Sequence, residues 1–160
     1  MRTTIGVLLG VLLSAGVAGE AAAQRAEVLL GGGATFSGAD VSTVNGHAML
    51  GAVARVTPRF GVRLDALYTP TDTDDLLGIG ANAVGSIGTA GARVSPYLLG
   101  GGGVFFSGGQ THGAATAGLG LRVAAGERVG WFIEGRYFRV FDVVNDDLIY
   151  VTGGLSIALP

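Results

Sequence analysis

Cysteine is absent from this chain of 160 residues. That excludes disulfides, thiolate metal centres and a lipid-anchored cysteine, and it is neutral about an oxidising compartment. Lysine is absent too: all ten basic residues are arginine. Charged residues make up 14%, well below the roughly 25% of soluble domains. The nominal charge of −2 offers no electrostatic footing for nucleic acid. Beyond residue 24 no apolar run approaches the ~20 residues a membrane-spanning helix needs, and no convincing amphipathic helix appears. Glycine is abundant, at 30 residues, but has no three-residue period, which excludes collagen.

What is present begins with a targeting segment. Arg2 gives a positive start, residues 5–13 a short apolar core, and Ala21-Ala22-Ala23 the A-x-A cleavage pattern. Residues 1–23 are therefore expected to be a secretory signal peptide and residues 24–160 the mature domain.

The mature chain alternates. In residues 59–69, Phe60, Val62, Leu64, Ala66 and Tyr68 fall on one face, Arg63 and Asp65 on the other. From Val129 onward Trp131, Ile133 and Tyr137 oppose Glu134 and Arg136. A period of two is the signature of a strand with two different faces. The same grammar recurs over residues 27–36, 47–57, 76–87, 92–106, 114–125 and 148–159, separated by turn residues. In hydrocarbon every backbone polar group must be paired, so without helices only a closed barrel can span. The pattern predicts an all-β fold: an eight-stranded antiparallel up-and-down transmembrane β-barrel, its narrow interior filled by side chains. Connections after the second, fourth and sixth strands read as short periplasmic turns, and the others as longer outer loops. The outer side collects Asp40, Asp72, Asp74, Asp75, Asp142, Asp146 and Asp147; Arg59 and Arg128 fall on the other side. Residues 29–38 and 98–109 also resemble each other, which fits either two related halves or convergence of glycine-rich strands.

Four interior charges share a depth: Arg63, Asp65, Glu134 and Arg136. Ions away from water are costly alone, so they are expected to pair. Inward glycines, among them Gly31, Gly78, Gly118 and Gly120, leave room for guanidinium groups. Phe60, Tyr68, Trp131 and Tyr137 fit the aromatic girdles at the two membrane interfaces. Asp72, Asp74 and Asp75 are the only metal candidates, and the full calcium-loop pattern is missing, so a solvated acidic loop is expected. Gly78, Gly80 and Ala83 match a dinucleotide fingerprint without the strand–helix unit it requires. His47 and His112 read as surface histidines at the outer strand ends; no nucleophile–base–orienter set can be assembled from them. No catalytic residue, cofactor or metal follows.

Three segments carry a resemblance: Pro96-Tyr97-Leu98-Leu99 with the glycines after it, Glu134-Gly135-Arg136-Tyr137, and Val151 to Ile157. The mature chain resembles the small outer-membrane β-barrel proteins, namely the transmembrane domain of outer membrane protein A, the outer membrane protein X type and opacity-like adhesins. The resemblance implies a cell outer-membrane location, contact with membrane lipids and lipopolysaccharide, insertion by the outer-membrane assembly machinery, and a monomer. Such proteins usually end on an aromatic residue, whereas this chain ends Leu159-Pro160. The function expected is non-enzymatic, structural or surface-interacting. The competing readings are a narrow channel, a binder or transporter of small hydrophobic molecules, a lipid A-modifying enzyme, and a soluble lipocalin-like barrel.

Overall fold

A computed structural model describes residues 26–37, 43–72, 74–89, 92–141 and 147–160. The expected signal peptide and Asp40, Asp142 and Asp146 lie outside the described residues. The strands are β1 (Ala26–Ser37), β2 (Thr43–Arg55), β3 (Phe60–Thr69), β4 (Leu76–Ser86), β5 (Val94–Ser107), β6 (Gln110–Ala124), β7 (Val129–Val140) and β8 (Asp147–Ala158). Each pairs antiparallel with the next, and β1 pairs with β8 to close the ring. Closure leaves no unpaired edge. The fold is all-β, as the alternation predicts.

Burial follows the period of two. In β3 and β7 every second residue is buried. The buried set points into the lumen, and the exposed set is a belt of large apolar side chains. Leu30, Leu64, Leu98, Leu119 and Ile133 face outward, uncovered by any other described residue. That distribution suits a hydrocarbon solvent and would be unfavourable in water.

Two expectations need correction. The connection between β5 and β6 is not a loop over residues 107–113 but the two glycines Gly108 and Gly109, with φ of 56° and 78°. Both left-handed positions suit glycine and form a tight hairpin. The connection between β4 and β5 runs over residues 87–93 and is the longer one. Loop length therefore does not separate the two ends of the barrel; charge does. The end where β1 begins and β8 ends carries Arg59, Arg93 and Arg128 at its turns, and the opposite end carries Asp72, Asp74, Asp75 and Asp147. The first is the termini end of the barrel and the second its acid end.

The likeness of residues 29–38 to 98–109 does not preserve facing at its leading leucines. Leu29 is buried in the lumen, whereas Leu98 is 52% exposed on the belt. A one-residue slip inverts the facing of a side chain, so the leading leucines are not equivalent.

Candidate functional site

The lumen is filled in three layers. The middle layer brings together the four charges singled out from the sequence. β3 and β7 lie on opposite sides of the eight-stranded ring, so Arg63 and Glu134 meet across it. Arg63 donates through Nη1 and Nη2 to Glu134 Oε2 and Oε1 at 2.6 and 2.8 Å, a two-pronged pair. Its Nε donates to Asp65 Oδ1 at 2.6 Å. Arg136 donates through Nη1 to Asp65 Oδ2 at 3.0 Å. Arg136 Nε stands 3.0 Å from Glu134 Oε1 but is out of line for a hydrogen bond. Two positive and two negative groups close on one another, and none is more than 4% exposed.

Three further residues complete the layer. Tyr97 donates its hydroxyl to Glu134 Oε2 at 2.7 Å, and Asn82 Nδ2 donates to Asp65 Oδ2 at 2.9 Å. Met49 places its thioether sulfur 3.0 Å from Arg63 Nη2 and 3.2 Å from Arg136 Nη2, as a weak acceptor between the two guanidiniums. Arg136 also lies over the ring of Phe138, 5.4 Å from its centroid. Nothing in the spacing of Met49 announces this role; only its inward parity on β2 hints at it.

The inward glycines make room for more than guanidiniums. A Cβ at Gly118 would meet Arg136 Cγ at 2.7 Å, as expected, but one at Gly78 would meet the ring of Phe105 at 2.6 Å. One at Gly120 would collide with the Tyr97 ring. Aromatic side chains use the space as much as arginines do.

Toward the acid end the lumen is mainly apolar, with the buried hydroxyls of Thr35, Thr69, Thr116 and Thr152 among its aromatic and aliphatic side chains. Leu67, Phe105, Phe138, Val140, Leu148 and Tyr150 pack as one cluster. Phe138 meets both Phe105 and Tyr150 edge-on, with centroids 5.3 and 5.2 Å apart. The two-class alternation of the sequence understated this: apolar residues occupy both faces of these strands. His47 sits beside the cluster and is buried, which corrects its reading as a surface histidine. Its Nδ1 is 3.1 Å from Thr35 Oγ1 and its Nε2 is 2.9 Å from Thr152 Oγ1, and its ring stands 4.8 Å from that of Tyr150. The parity of β2 puts His47 on the same face as Met49, the signal that could have placed it.

At the termini end a third layer holds Glu27, Arg55 and Arg122. Arg122 Nη1 is 2.7 Å from Glu27 Oε2, and Arg55 Nη2 is 3.8 Å from the same oxygen.

The remaining candidates are on the outside. Phe60 and Trp131 face outward near the termini end, at 59% and 57% exposure, and Tyr68 and Tyr137 face outward toward the acid end. Asp72, Asp74 and Asp75 are exposed. Asp75 accepts a hydrogen bond from the Tyr68 hydroxyl at 2.7 Å, and Thr71 ties the backbone of Asp74 into a turn. Among the described residues no three histidine, cysteine or acidic side chains converge as a metal site. Gly78, Gly80 and Ala83 lie within strand β4.

No protein-family model matches the sequence, and no curated protein does. Solved structures match it in shape. Neisserial surface protein A aligns with a TM-score of 0.71 and 19% identity, over 82% of this chain and 96% of that one. The N-terminal β-barrel domain of Pseudomonas aeruginosa OprF aligns at 0.68 with 13% identity, over 85% and 98%. The outer membrane enzyme PagL aligns at 0.56 with 16% identity, over 82% and 98%. A surface protein and an enzyme share this architecture, so the likeness carries fold and not activity. The chain has the fold of the small outer-membrane β-barrels, the resemblance drawn from its sequence.

Proposed function

We propose that this protein is an integral outer-membrane barrel, closed to bulk flow, that serves envelope structure or surface contact and catalyses nothing. One observation carries the reading: the charge-balanced network of Arg63, Asp65, Glu134 and Arg136 crosses the lumen with every member buried. A guanidinium bonded two-pronged to a carboxylate across an eight-stranded ring leaves no continuous aqueous path at that height. The aromatic and aliphatic cluster between this network and the acid end adds a second barrier of packed side chains. Of the two histidines, His47 is held between two threonine hydroxyls inside that closed space. The apolar belt supports lipid as the surrounding solvent, with Phe60 and Trp131 at one interface and Tyr68 and Tyr137 at the other. In this reading the termini end faces the periplasm, and the acid end faces a lipopolysaccharide leaflet bridged by divalent cations.

Planar-bilayer recording tests it. The purified barrel is expected to insert without discrete conductance steps. Reproducible single-channel steps would overturn the closed-lumen reading in favour of a channel.

A further inference from the structure

We propose that the lumen at the termini end is a binding site for a phosphate group, held between Arg55 and Arg122. The middle layer is balanced, two guanidiniums against two carboxylates. The layer at the termini end is not: Glu27 alone serves both Arg55 and Arg122, and through a single oxygen. Arg122 Nη1 stands 2.7 Å from Glu27 Oε2 as an ion pair out of line for a hydrogen bond, and Arg55 Nη2 stands 3.8 Å from that oxygen. The nearest acceptor of Arg55 is the Ser86 hydroxyl, 3.3 Å from Nη1. Arg122 Nε is buried with no hydrogen-bond partner.

The chemistry of the mouth follows. Each guanidinium offers five N–H donors in a fixed planar fork that suits a carboxylate or a phosphate two at a time. Most of those donors are unused here. A partly dry surplus of positive charge is unfavourable, and an anion would offset it. Both side chains remain 19% exposed at the open end of the barrel, so the site can be reached. The turn arginines Arg59, Arg93 and Arg128 surround the same end, opposed by Glu127. Five arginines against the two carboxylates of Glu27 and Glu127 leave a surplus of positive charge, and it favours a multiply charged tetrahedral oxyanion able to bridge both forks. The phosphate could come from a phospholipid headgroup at the rim or from a soluble phosphate. The inference rests on the proposed function only for the compartment this end faces.

The test uses the mature barrel refolded in dodecyl maltoside without phospholipid. Its thermal midpoint is compared in chloride and in inorganic phosphate at equal pH and ionic strength, and phosphate binding is measured by calorimetry. One phosphate per barrel and a raised midpoint are expected. The double variant Arg55→Gln, Arg122→Gln should lose the phosphate effect, and Arg139→Gln at the acid end should keep it. Glu27→Gln removes the competing carboxylate and should bind phosphate on the order of tenfold tighter. That variant should also be less stable than the parent in chloride and recover in phosphate, which decides the matter even if the double arginine variant does not refold. Phosphatidylglycerol added to the micelles identifies the source: displacement of inorganic phosphate points to headgroups, and its absence to a soluble phosphate. Phosphate indistinguishable from chloride for both the parent and Glu27→Gln overturns the proposal. A failure of the outer-membrane reading would look different: a barrel soluble without detergent and without a heat-dependent shift on gels.

Discussion

At the scale of single residues, Glu134 is the most consequential side chain in the lumen. It accepts both prongs of Arg63 and the Tyr97 hydroxyl, and it lies beside Arg136. Its truncation leaves two buried guanidiniums with one carboxylate between them. Breaking a buried pair by removing one partner costs about 3–5 kcal/mol, because the orphaned charge stays desolvated. Glu134→Ala is therefore expected to lower the stability of the folded barrel by about that amount, read as a shift in urea unfolding in lipid vesicles. Glu127→Ala, at an exposed turn, removes the same charge without orphaning a buried partner and should leave the transition unmoved. Equal stability of the parent and Glu134→Ala would show that the network fills space without holding the barrel together. The Arg139–Asp147 pair is a useful contrast: at 2.8 Å its geometry is good, but its side chains are 58% and 40% exposed, and solvent screens such a pair to near irrelevance.

At the scale of elements, strand pairing and facing were legible and strand ends were not. Period two assigned Arg63, Asp65, Glu134 and Arg136 to the lumen, and all four point there. The pattern fails where both faces of a strand are apolar. Phe105 and Phe106 are neighbours of like chemistry, yet the first packs in the core and the second lies on the belt; composition cannot tell them apart. It fails again at glycine-rich ends, where residues 107–113 look like a loop because glycine carries no facing. Two of those residues make the turn, and the others extend the ladder from Gln110. Three substitutions separate the roles of glycine. Gly109 has φ of 78° and open space around it, so Gly109→Ala pays for left-handed backbone alone, about 1–2 kcal/mol. A Cβ on Gly120 would also meet the Ile133 carbonyl at 2.8 Å besides the Tyr97 ring, so Gly120→Ala overpacks the lumen, at about 1–3 kcal/mol. Gly126 has neither constraint, and Gly126→Ala should be neutral. Denaturant midpoints for the three variants in one detergent check that order.

At the scale of the whole molecule, the barrel is polar in two senses at once. Radially, charge is inside and apolar surface outside, the inverse of a soluble protein. Axially, arginines gather at the termini end and aspartates at the acid end. Both asymmetries make sense only if the medium around the belt differs from the media at the two ends. Trp131 reports on that medium directly, because it is the only tryptophan and it faces outward at 57% exposure. It pairs in register with Leu155 and Val123 near the termini end, at a level close to Phe60 rather than at mid-belt. An amphipathic indole at such a position belongs at the boundary between acyl chains and headgroups. In vesicles of brominated lipids its fluorescence should therefore be quenched most by bromines near the glycerol end of the chains. Bromines at the bilayer centre should quench it less, and iodide in the water should quench it weakly. The discriminating result is the reverse order. Strong iodide quenching with no response to brominated chains would put the whole apolar belt in water, and a barrel with that surface would then have to be covered by protein instead of lipid.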